Sequence, residues 1–330
     1  MSLRLIEVIV PRDALEALTE SIGDDGALGV WTSPVDEDAS LVRVLLTAEQ
    51  TEGFTDKLAS RFSGDPRFRM MLFPVEATLP AVEEEARTPG ASEAPEERSP
   101  LRISREELHQ DLSDATRIST VYLTTVALST LVAAVGLMSS SVAVVIGAMV
   151  IAPLLGPNVA LSLASTLGDV DLARYALKAN IAGVATALTL SVLVGLLLPV
   201  DPTVPEIAGR TAVGLGDIVL ALAAGSAGTL AFTQGLSAAV IGVMVAVALL
   251  PPLVVAGLLL GSGHLVGAYG AFLLVAVNVT CVNLAGVVTF LAQKVRPRKW
   301  WEAERATKAW KIAVASWIGM LLLLVVLVLL

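Results

Sequence analysis

Cysteine and histidine are scarce in this sequence. A single cysteine, Cys281, has no partner for an intrachain disulfide and cannot supply the ligands of a zinc or iron–sulfur cluster. The two histidines, His109 and His264, provide little material for a metal site or a nucleophilic triad. We therefore expect no metal site, no cofactor, no catalytic residues and no enzyme activity.

Charge is also scarce and unevenly distributed. Charged residues make up 16% of the chain and hydrophobic residues 55%, whereas a soluble domain carries roughly 25% charged residues. Residues 1–117 hold 24 acidic and 12 basic residues, a net charge of −12, and residues 118–330 hold 7 and 10, a net charge of +3. This composition predicts an acidic soluble region joined to a polytopic membrane domain, and the negative charge argues against a nucleic-acid partner.

The N-terminal region has no apolar run of the kind found in signal peptides, so we expect residues 1–100 to stay in the cytoplasm. Over residues 1–80, β-rich segments alternate with helical periodicity in the order β-α-β-β-α-β, which predicts a ferredoxin-like α+β domain. The fold alone names no function. A regulatory domain for a small ligand and a module for assembly or solubility both stay open.

The next segment joins this domain to the membrane. Residues 81–100 are rich in Pro and Glu and predict a flexible linker. Residues 101–117 predict an amphipathic helix, in which Ser104 and Glu107 have the spacing of a capping box. This helix is expected either to lie in the membrane interface or to pack on the transmembrane helices.

Seven apolar runs in residues 118–330 are each about long enough to span a bilayer. Between them lie short charged breaks, and thirteen basic residues fall on the predicted cytoplasmic side against one, Arg210, on the other. This asymmetry predicts a cytoplasmic N-terminus and an external C-terminus. The runs are 118–138, 141–167, 173–198, 215–233, 236–261, 265–291 and 311–330.

The membrane domain contains an internal repeat. The segment IGAMVIAPLLGP at 146–157 aligns without a gap with IGVMVAVALLPP at 241–252, an offset of 95 residues. Each copy occupies the second of three predicted helices, in repeats over 118–198 and 213–291. Because three crossings reverse the direction of the chain, this predicts a 3+3 inverted repeat followed by one extra helix over 311–330.

Prolines and glycines in the repeated segments predict a pair of broken helices that meet near the bilayer midplane. Freed backbone groups at that depth need partners, which a solute or ion could supply. Simple proline kinks, interhelical hydrogen bonds between amides, and a helix-dipole role for the one carboxylate are the alternatives. The candidate binding residues are Gly147, Pro153, Gly156, Pro157, Asn158, Pro251, Pro252, Asn180, Asp217 and Asn278.

Small residues recur at every fourth position of the third span. This stripe predicts close helix packing, either within the chain or with another subunit. Its residues are Ala179, Gly183, Ala187, Ser191 and Gly195.

Several of these segments resemble a known family. IGAMVIAPLLGPNVALSLA, GDIVLALAAGSAGTLAF with Asp217, ALLPP and the helix containing Asn278 are similar to the prokaryotic family called domain of unknown function 389, or uncharacterised hydrophobic domain. The resemblance covers residues from about 118 to 291. It implies the cytoplasmic (inner) membrane of a prokaryote and implies no activity.

These observations favour an integral membrane transporter or channel for a small solute or ion, with the site at the paired broken helices. Its partners would be the lipid bilayer, the solute, further copies of the chain and a small regulatory ligand at the cytoplasmic domain. The alternative is a membrane-anchored sensor or scaffold that transports nothing. A membrane-embedded enzyme ranks third, because the spans contain neither metal ligands nor paired acids.

Overall fold

The computed structural model describes residues 3–15, 18–19, 22, 27–62, 68–75, 78, 103–236, 249–295 and 300–329. Contacts divide the chain into two compact units, which we name the head (Met1–Glu107) and the bundle (Leu108–Leu330). The predicted linker over 81–100 lies outside the described residues, and so does most of the segment between the first two predicted strands, where a helix was expected.

The head contains a four-stranded antiparallel sheet in the order β2-β3-β1-β4. The predicted strands and the helix before the last strand are confirmed, with ends shifted by a few residues. The elements are β1 (Leu3–Pro11), β2 (Gly29–Pro34), β3 (Ala39–Thr47), α1 (Ala48–Phe62) and β4 (Arg69–Val75).

One face of this sheet is covered and the other is open. The covered face packs alternate residues of β1 and β3 against Phe54 and Leu58 of α1. On the open face, Arg43 Nε lies 2.7 Å from Glu7 Oε1. Trp31, directly opposite Arg43 in the register, is 54% exposed, and Phe73 of β4 is also exposed.

Helix α2 (Arg105–Ala115) begins in the head. Ser104 Oγ accepts a hydrogen bond from the Glu107 N–H at 3.2 Å, which is half of the predicted capping box. The Glu107 carboxylate completes no box, because it accepts two bonds from the Arg4 guanidinium at 3.0 and 3.1 Å. A second pair, Arg105 with Asp56 at 2.9 Å, holds the same turn.

The later part of α2 belongs to the bundle and packs on its other helices, one of the two placements expected from the sequence. His109 Nε2 lies 3.0 Å from Asp169 Oδ2. Burial acts to raise the pKa of Asp169, but hydrogen bonds from the Leu172 N–H and His109, the charge of His109 and a bond from the Asp171 N–H outweigh it and lower that pKa.

The bundle is helical throughout its described part. Five helices are long and apolar enough to cross a membrane, and one bent pair, α4 with α5, would make a sixth span. Residues 237–248 of the predicted run over 236–261 lie outside the described residues, and α9 occupies the second half of this run. The helices are α3 (Thr120–Met138), α4 (Val142–Ile151), α5 (Leu155–Leu167), α6 (Val170–Leu197), α7 (Pro205–Ala208), α8 (Leu215–Thr233), α9 (Leu250–Gly261), α10 (Leu265–Ala292) and α11 (Trp300–Leu329).

The helix bounds recur at the offset of 95 residues that aligns the sequence motif. Helices α3 and α8 are both 19 residues long, α6 and α10 are both 28, and each pair starts and ends 95 residues apart. Helices α5 and α9 begin at Leu155 and Leu250, again 95 apart. The left-handed turn residues Gly168 and Gly263, with φ of 71° and 83°, keep the same spacing.

The small-residue stripe of α6 is buried along its whole length and packs within the chain. A Cβ added at Gly195 would collide with the Leu258 carbonyl of α9. A Cβ added at Gly257 of α9 would lie 2.7 Å from the Ser191 Cβ. Such close approach of two helix backbones requires small residues. The bundle itself thus provides the stripe's partner, which the sequence left open.

Candidate functional site

Helices α4 and α5 are separated by a break with a local cause. Pro153 disfavours the helical conformation in the residue before it. Ala152 accordingly has φ −69° and ψ 119°, and its N–H makes the last bond of α4, to the Ala148 carbonyl. The chain resumes as α5 at Leu155, bent by 51° from α4.

Three asparagines, two of them buried and Asn180 partly buried, form an amide cluster just after this break. Asn158 Nδ2 donates to Asn180 Oδ1 of α6 at 2.8 Å, and Asn283 Nδ2 of α10 donates to Asn158 Oδ1 at 3.0 Å. Asn158 and Asn283 are 3% and 0% exposed. The cluster therefore joins α5 and α6 to α10.

Backbone carbonyls fix the direction of this chain of amides. Asn158 Nδ2 also donates to the Leu154 carbonyl at 2.8 Å, and Asn283 Nδ2 donates to the Val279 carbonyl at 2.9 Å. A carbonyl can only accept, so the nitrogens of both amides must face these positions. Donation consequently runs from Asn283 to Asn158 to Asn180, and the order cannot be reversed by flipping the amides.

Ser162, one turn beyond Asn158 on α5, closes the other side of the cluster. Its hydroxyl lies 3.1 Å from the Asn158 carbonyl oxygen and 3.3 Å from Asn283 Oδ1. A Cβ added at Gly286 of α10 would lie 2.7 Å from the Ser162 Cβ. Helices α5 and α10 thus touch at this side of the cluster.

The cluster lies close to the middle of its long helices. Asn180 precedes the midpoint of α6 by three to four residues, and Asn283 follows the midpoint of α10 by four to five. At a rise of about 1.5 Å per residue, both lie within about 7 Å of those midpoints.

The second predicted break is described only from Leu249 onward, and its residues differ in chemistry from those of the first. Pro251 and Pro252 are buried in the first turn of α9 among apolar side chains, and Leu253 occupies the position equivalent to Asn158. Prolines in a first helical turn, including Pro157 of α5, remove N–H groups that have no helical partner anyway. Freed carbonyls therefore do not arise from these three prolines, and only the first break carries an amide cluster within the described residues.

The remaining candidate residues lie apart from the cluster or serve other contacts. Gly147 is exposed on α4, with no atom within 4 Å of an added Cβ. A Cβ added at Gly156 would meet Ala115 of α2. Asp217 caps α8, where its Oδ2 accepts the Gly214 N–H at 2.8 Å, as the dipole alternative predicts. Asn278 is buried on α10, five residues before Asn283.

Sequence reasoning omitted Asn283 and Ser162 from the site. Asn158 and Ser162 stand at i and i+4 of a helix, a spacing that places them on one face and could have signalled the pair. Asn283 is an amide within a predicted span, which indicates interhelical hydrogen bonding, but the sequence does not identify its partner Asn158, which lies 125 residues away. Among the described residues, no group of three or more His, Cys, Asp or Glu could hold a metal ion.

Comparison with known proteins adds a family. Residues 149–284 match the family described as Domain of unknown function (DUF389). "Uncharacterized protein MJ0678" of Methanocaldococcus jannaschii is 35% identical over 329 residues, covering 99% of both chains. The chain belongs to this family. No solved structure matches it.

The resemblance drawn from the sequence is confirmed, and the DUF389 match contains all three asparagines of the cluster. Neither the DUF389 description nor the name of the relative states an activity. Because the relative aligns along nearly its whole length, the segments that form the head and the bundle both have counterparts there.

Proposed function

We propose that this DUF389 protein is a transporter or channel for a small solute or ion, with its site at the break between α4 and α5. In this proposal the chain crosses the cytoplasmic membrane of a prokaryote seven times, with the N-terminus inside and the C-terminus outside. The protein moves its solute without chemical change. The basic residues at the predicted cytoplasmic ends support this orientation.

An inverted 3+3 repeat is part of the proposal, supported by equivalent contacts in the two halves. Ser191 on α6 contacts Gly257 on α9, and Gly286 on α10 contacts Ser162 on α5. The two contacts are equivalent, because Gly286 lies 95 residues after Ser191 and Ser162 lies 95 residues before Gly257. Each broken helix therefore packs on the third helix of the other repeat. A pseudo-two-fold axis in the membrane plane would generate this pairing.

The amide cluster is the observation that carries the proposal. Buried amides in a membrane-spanning helix are costly unless paired, and irregular backbone is tolerated only where it is covered by protein or lines a cavity. A helix that begins with prolines needs no asparagine, as Leu253 at the equivalent position of α9 illustrates. The polar break therefore favours a solute site over a purely structural bend.

The head, in this proposal, regulates the bundle or holds subunits of a homo-oligomer together. Its strand order β2-β3-β1-β4, with α1 between β3 and β4, supports the ferredoxin-like topology. A small ligand bound by the head would act on the bundle through α2, which the head grips by the pairs Arg4–Glu107 and Arg105–Asp56.

Flux from reconstituted vesicles tests the proposal. Asn158→Leu, which copies the second break, should insert and elute as the wild type does but lose most of its flux. Thr130→Val is the matched control, because this buried hydroxyl of α3 bonds only its own helix, at the Val126 carbonyl. Wild-type flux in a folded Asn158→Leu protein would show that the solute site does not lie at the break between α4 and α5.

A membrane-anchored sensor or scaffold is the second candidate, favoured by the open face of the head with its exposed Trp31 and Phe73. On that view the bundle is a sealed anchor, and wild-type vesicles should be impermeable to every ion and small solute tested.

A further inference from the structure

We propose that the open face of the head sheet binds the same face of a second copy of this chain, so that two heads pair sheet against sheet. The inference rests on the part of the proposed function that gives the head a role in holding subunits together, and it does not depend on transport. It follows from the apolar character of this face, from the ion pair at its centre and from the strand register.

The open face is more apolar than a sheet face in water should be. An antiparallel sheet with one solvated face alternates apolar residues on the covered side with polar residues on the other. Strands β1 and β3 instead carry large apolar side chains on both faces. Trp31, Met71 and Phe73 are exposed on the open face. A contiguous exposed apolar face of this kind marks an interaction surface. Its largest apolar residues are Leu5, Ile9, Trp31, Leu41, Met71 and Phe73.

One ion pair lies in the middle of this face. Arg43 of β3 and Glu7 of β1 stand opposite each other on the two central strands, with Arg43 Nε 2.7 Å from Glu7 Oε1. The Arg43 side chain stays 43% exposed. A guanidinium has five N–H groups, and only Nε of Arg43 is bonded among the described contacts, so this side chain can bind a second carboxylate. A cation beside an anion is its own electrostatic complement under a two-fold rotation.

A two-fold axis parallel to the strands, between β1 and β3, uses this complementarity. Because the sheet order is β2-β3-β1-β4, such an axis places β1 of one copy over β3 of the other, and β4 over β2. Arg43 of each copy then lies over Glu7 of the other, which makes a ring of four alternating charges. Aligned packing of two sheet faces is a common arrangement, with the faces about 10 Å apart.

The neighbouring row of the sheet has matching sizes under the same axis. Gly29, Leu45, Leu5 and Phe73 lie in one row across the four strands. A Cβ added at Gly29 would collide with the Trp31 ring, so this ring lies over the glycine. Phe73 of each copy is placed over Gly29 of the other and therefore meets the Trp31 ring. The two leucines face each other in the middle of the row, and an aromatic pair closes each end.

Two other occupants suit the face less well. The linker over 81–100 contains no Leu, Ile, Met or aromatic residue, so it offers no large apolar side chain to cover the sheet. A membrane surface could supply phosphate to Arg43, but Glu7 would then face anionic headgroups. A second copy supplies a partner to both charges.

The area of the face sets the condition under which the heads pair. About seven residues on each of four strands cover about 450 Å², at about 3.4 Å per residue and about 4.8 Å between strands. The total of about 900 Å² for two copies is at the low end for a specific interface. Bundles held in one membrane raise the effective concentration of their heads, so the test uses full-length protein in vesicles.

Cysteine crosslinking locates the contact. In a Cys281→Ser background, Leu5→Cys places one thiol on the open face, and Ser60→Cys places one on the exposed side of α1 as the control. Vesicles of phosphatidylethanolamine and phosphatidylglycerol would be treated with a short bismaleimide, and dimers would be counted on denaturing gels. We expect dimers from Leu5→Cys and none from Ser60→Cys. Dimers that form equally from both positions, or from neither, would overturn the proposal.

Charge reversal tests the complementarity. Glu7→Arg gives a face with two cations and Arg43→Glu a face with two anions, so each variant alone should lower the crosslinked fraction of Leu5→Cys by about tenfold or more. Vesicles that contain both variants should regain it, because the cationic face of one copy then meets the anionic face of the other. Lys57→Glu on α1 is the matched control and should crosslink like the wild type.

The remaining outcomes separate this inference from the proposed function. If the charge variants do not fold, Phe73→Lys, which alters an exposed side chain, should lower the crosslinked fraction as well. Failure of the mixed vesicles to regain crosslinking, with both variants folded, would overturn the proposal. Quenching of a fluorophore on Leu5→Cys by brominated lipids would overturn it in favour of a membrane surface. Oligomers in light scattering without crosslinks at the open face would overturn the inference and keep the homo-oligomer, whereas monomers would overturn both.

Discussion

Replacing Asn158 by aspartate should destabilise the bundle more than replacing it by leucine. The leucine change removes two interhelical hydrogen bonds, to Asn180 and from Asn283. At roughly 0.6 kcal/mol for an average membrane hydrogen bond and up to about 1.7 for the strongest, the expected loss of unfolding free energy is about 1–3 kcal/mol. Aspartate keeps the hydrogen bond from Asn283. It replaces the Asn158 nitrogen by an oxygen that repels the Leu154 carbonyl and Asn180 Oδ1, and it buries a negative charge. A buried charge without a partner costs several kcal/mol more.

Reversible unfolding in mixed micelles, followed by circular dichroism at neutral pH, would measure the free energy of unfolding. It should decrease in the order wild type, Asn158→Leu, Asn158→Asp. Lowering the pH should narrow the gap between the two variants, because a protonated carboxyl regains one donor. Thr130→Val provides the comparison for loss of a buried hydroxyl outside the cluster. If Asn158→Asp proves as stable as Asn158→Leu at neutral pH, the assigned direction of the hydrogen bonds is wrong.

Three further predictions concern other parts of the chain. A reporter fused after Leu330 should be active only outside the cell, and activity inside would contradict seven crossings. Gly195→Ala should prevent the packing of α6 on α9, because the added Cβ would overlap the Leu258 carbonyl, and the folded peak of this variant should be missing from size-exclusion profiles. Gly147→Ala is the control, because no atom lies within 4 Å of the added Cβ, and it should elute and melt like the wild type. Asp169→Ala removes the N-cap of α6 and should lower thermal stability by about 1 kcal/mol. The pKa of Asp169 is lower in the folded protein than in the unfolded chain. The stabilisation by Asp169 should therefore be complete above the unfolded-state pKa and be lost as the pH falls through the folded-state pKa. Thermal melts at a series of pH values would detect this loss.

Most helix and strand positions could be predicted from sequence because their causes are local. Alternation along β1 and β3 reports a sheet with one covered face, and Pro153 acts directly on the backbone of Ala152. The glycine and serine stripe of α6 predicts a close helix contact but not its partner. That partner is α9, whose own small residue, Gly257, meets Ser191.

The candidate site was less accessible to sequence reasoning. Pro251 and Pro252 repeat the signature of a break in the second copy, which predicted that two broken helices form one site together. Their surroundings are apolar, because Leu253 replaces the asparagine found after the first break. A proline reports only a local backbone constraint, whereas the polarity of a break depends on side chains from neighbouring helices.

By itself, the sequence determined the division into an acidic N-terminal region and an apolar membrane domain, the repeat at 95 residues, and the break at Pro153. Each depends on composition or on neighbours along the chain. Only the tertiary structure decided that Asn283, and not Asn278, bonds to Asn158. Five residues turn a helix by about 140° beyond a full rotation, so these two amides point to different faces of α10. Which face of α10 meets α5 is set by the crossing of two helices that lie about a hundred residues or more apart in the chain.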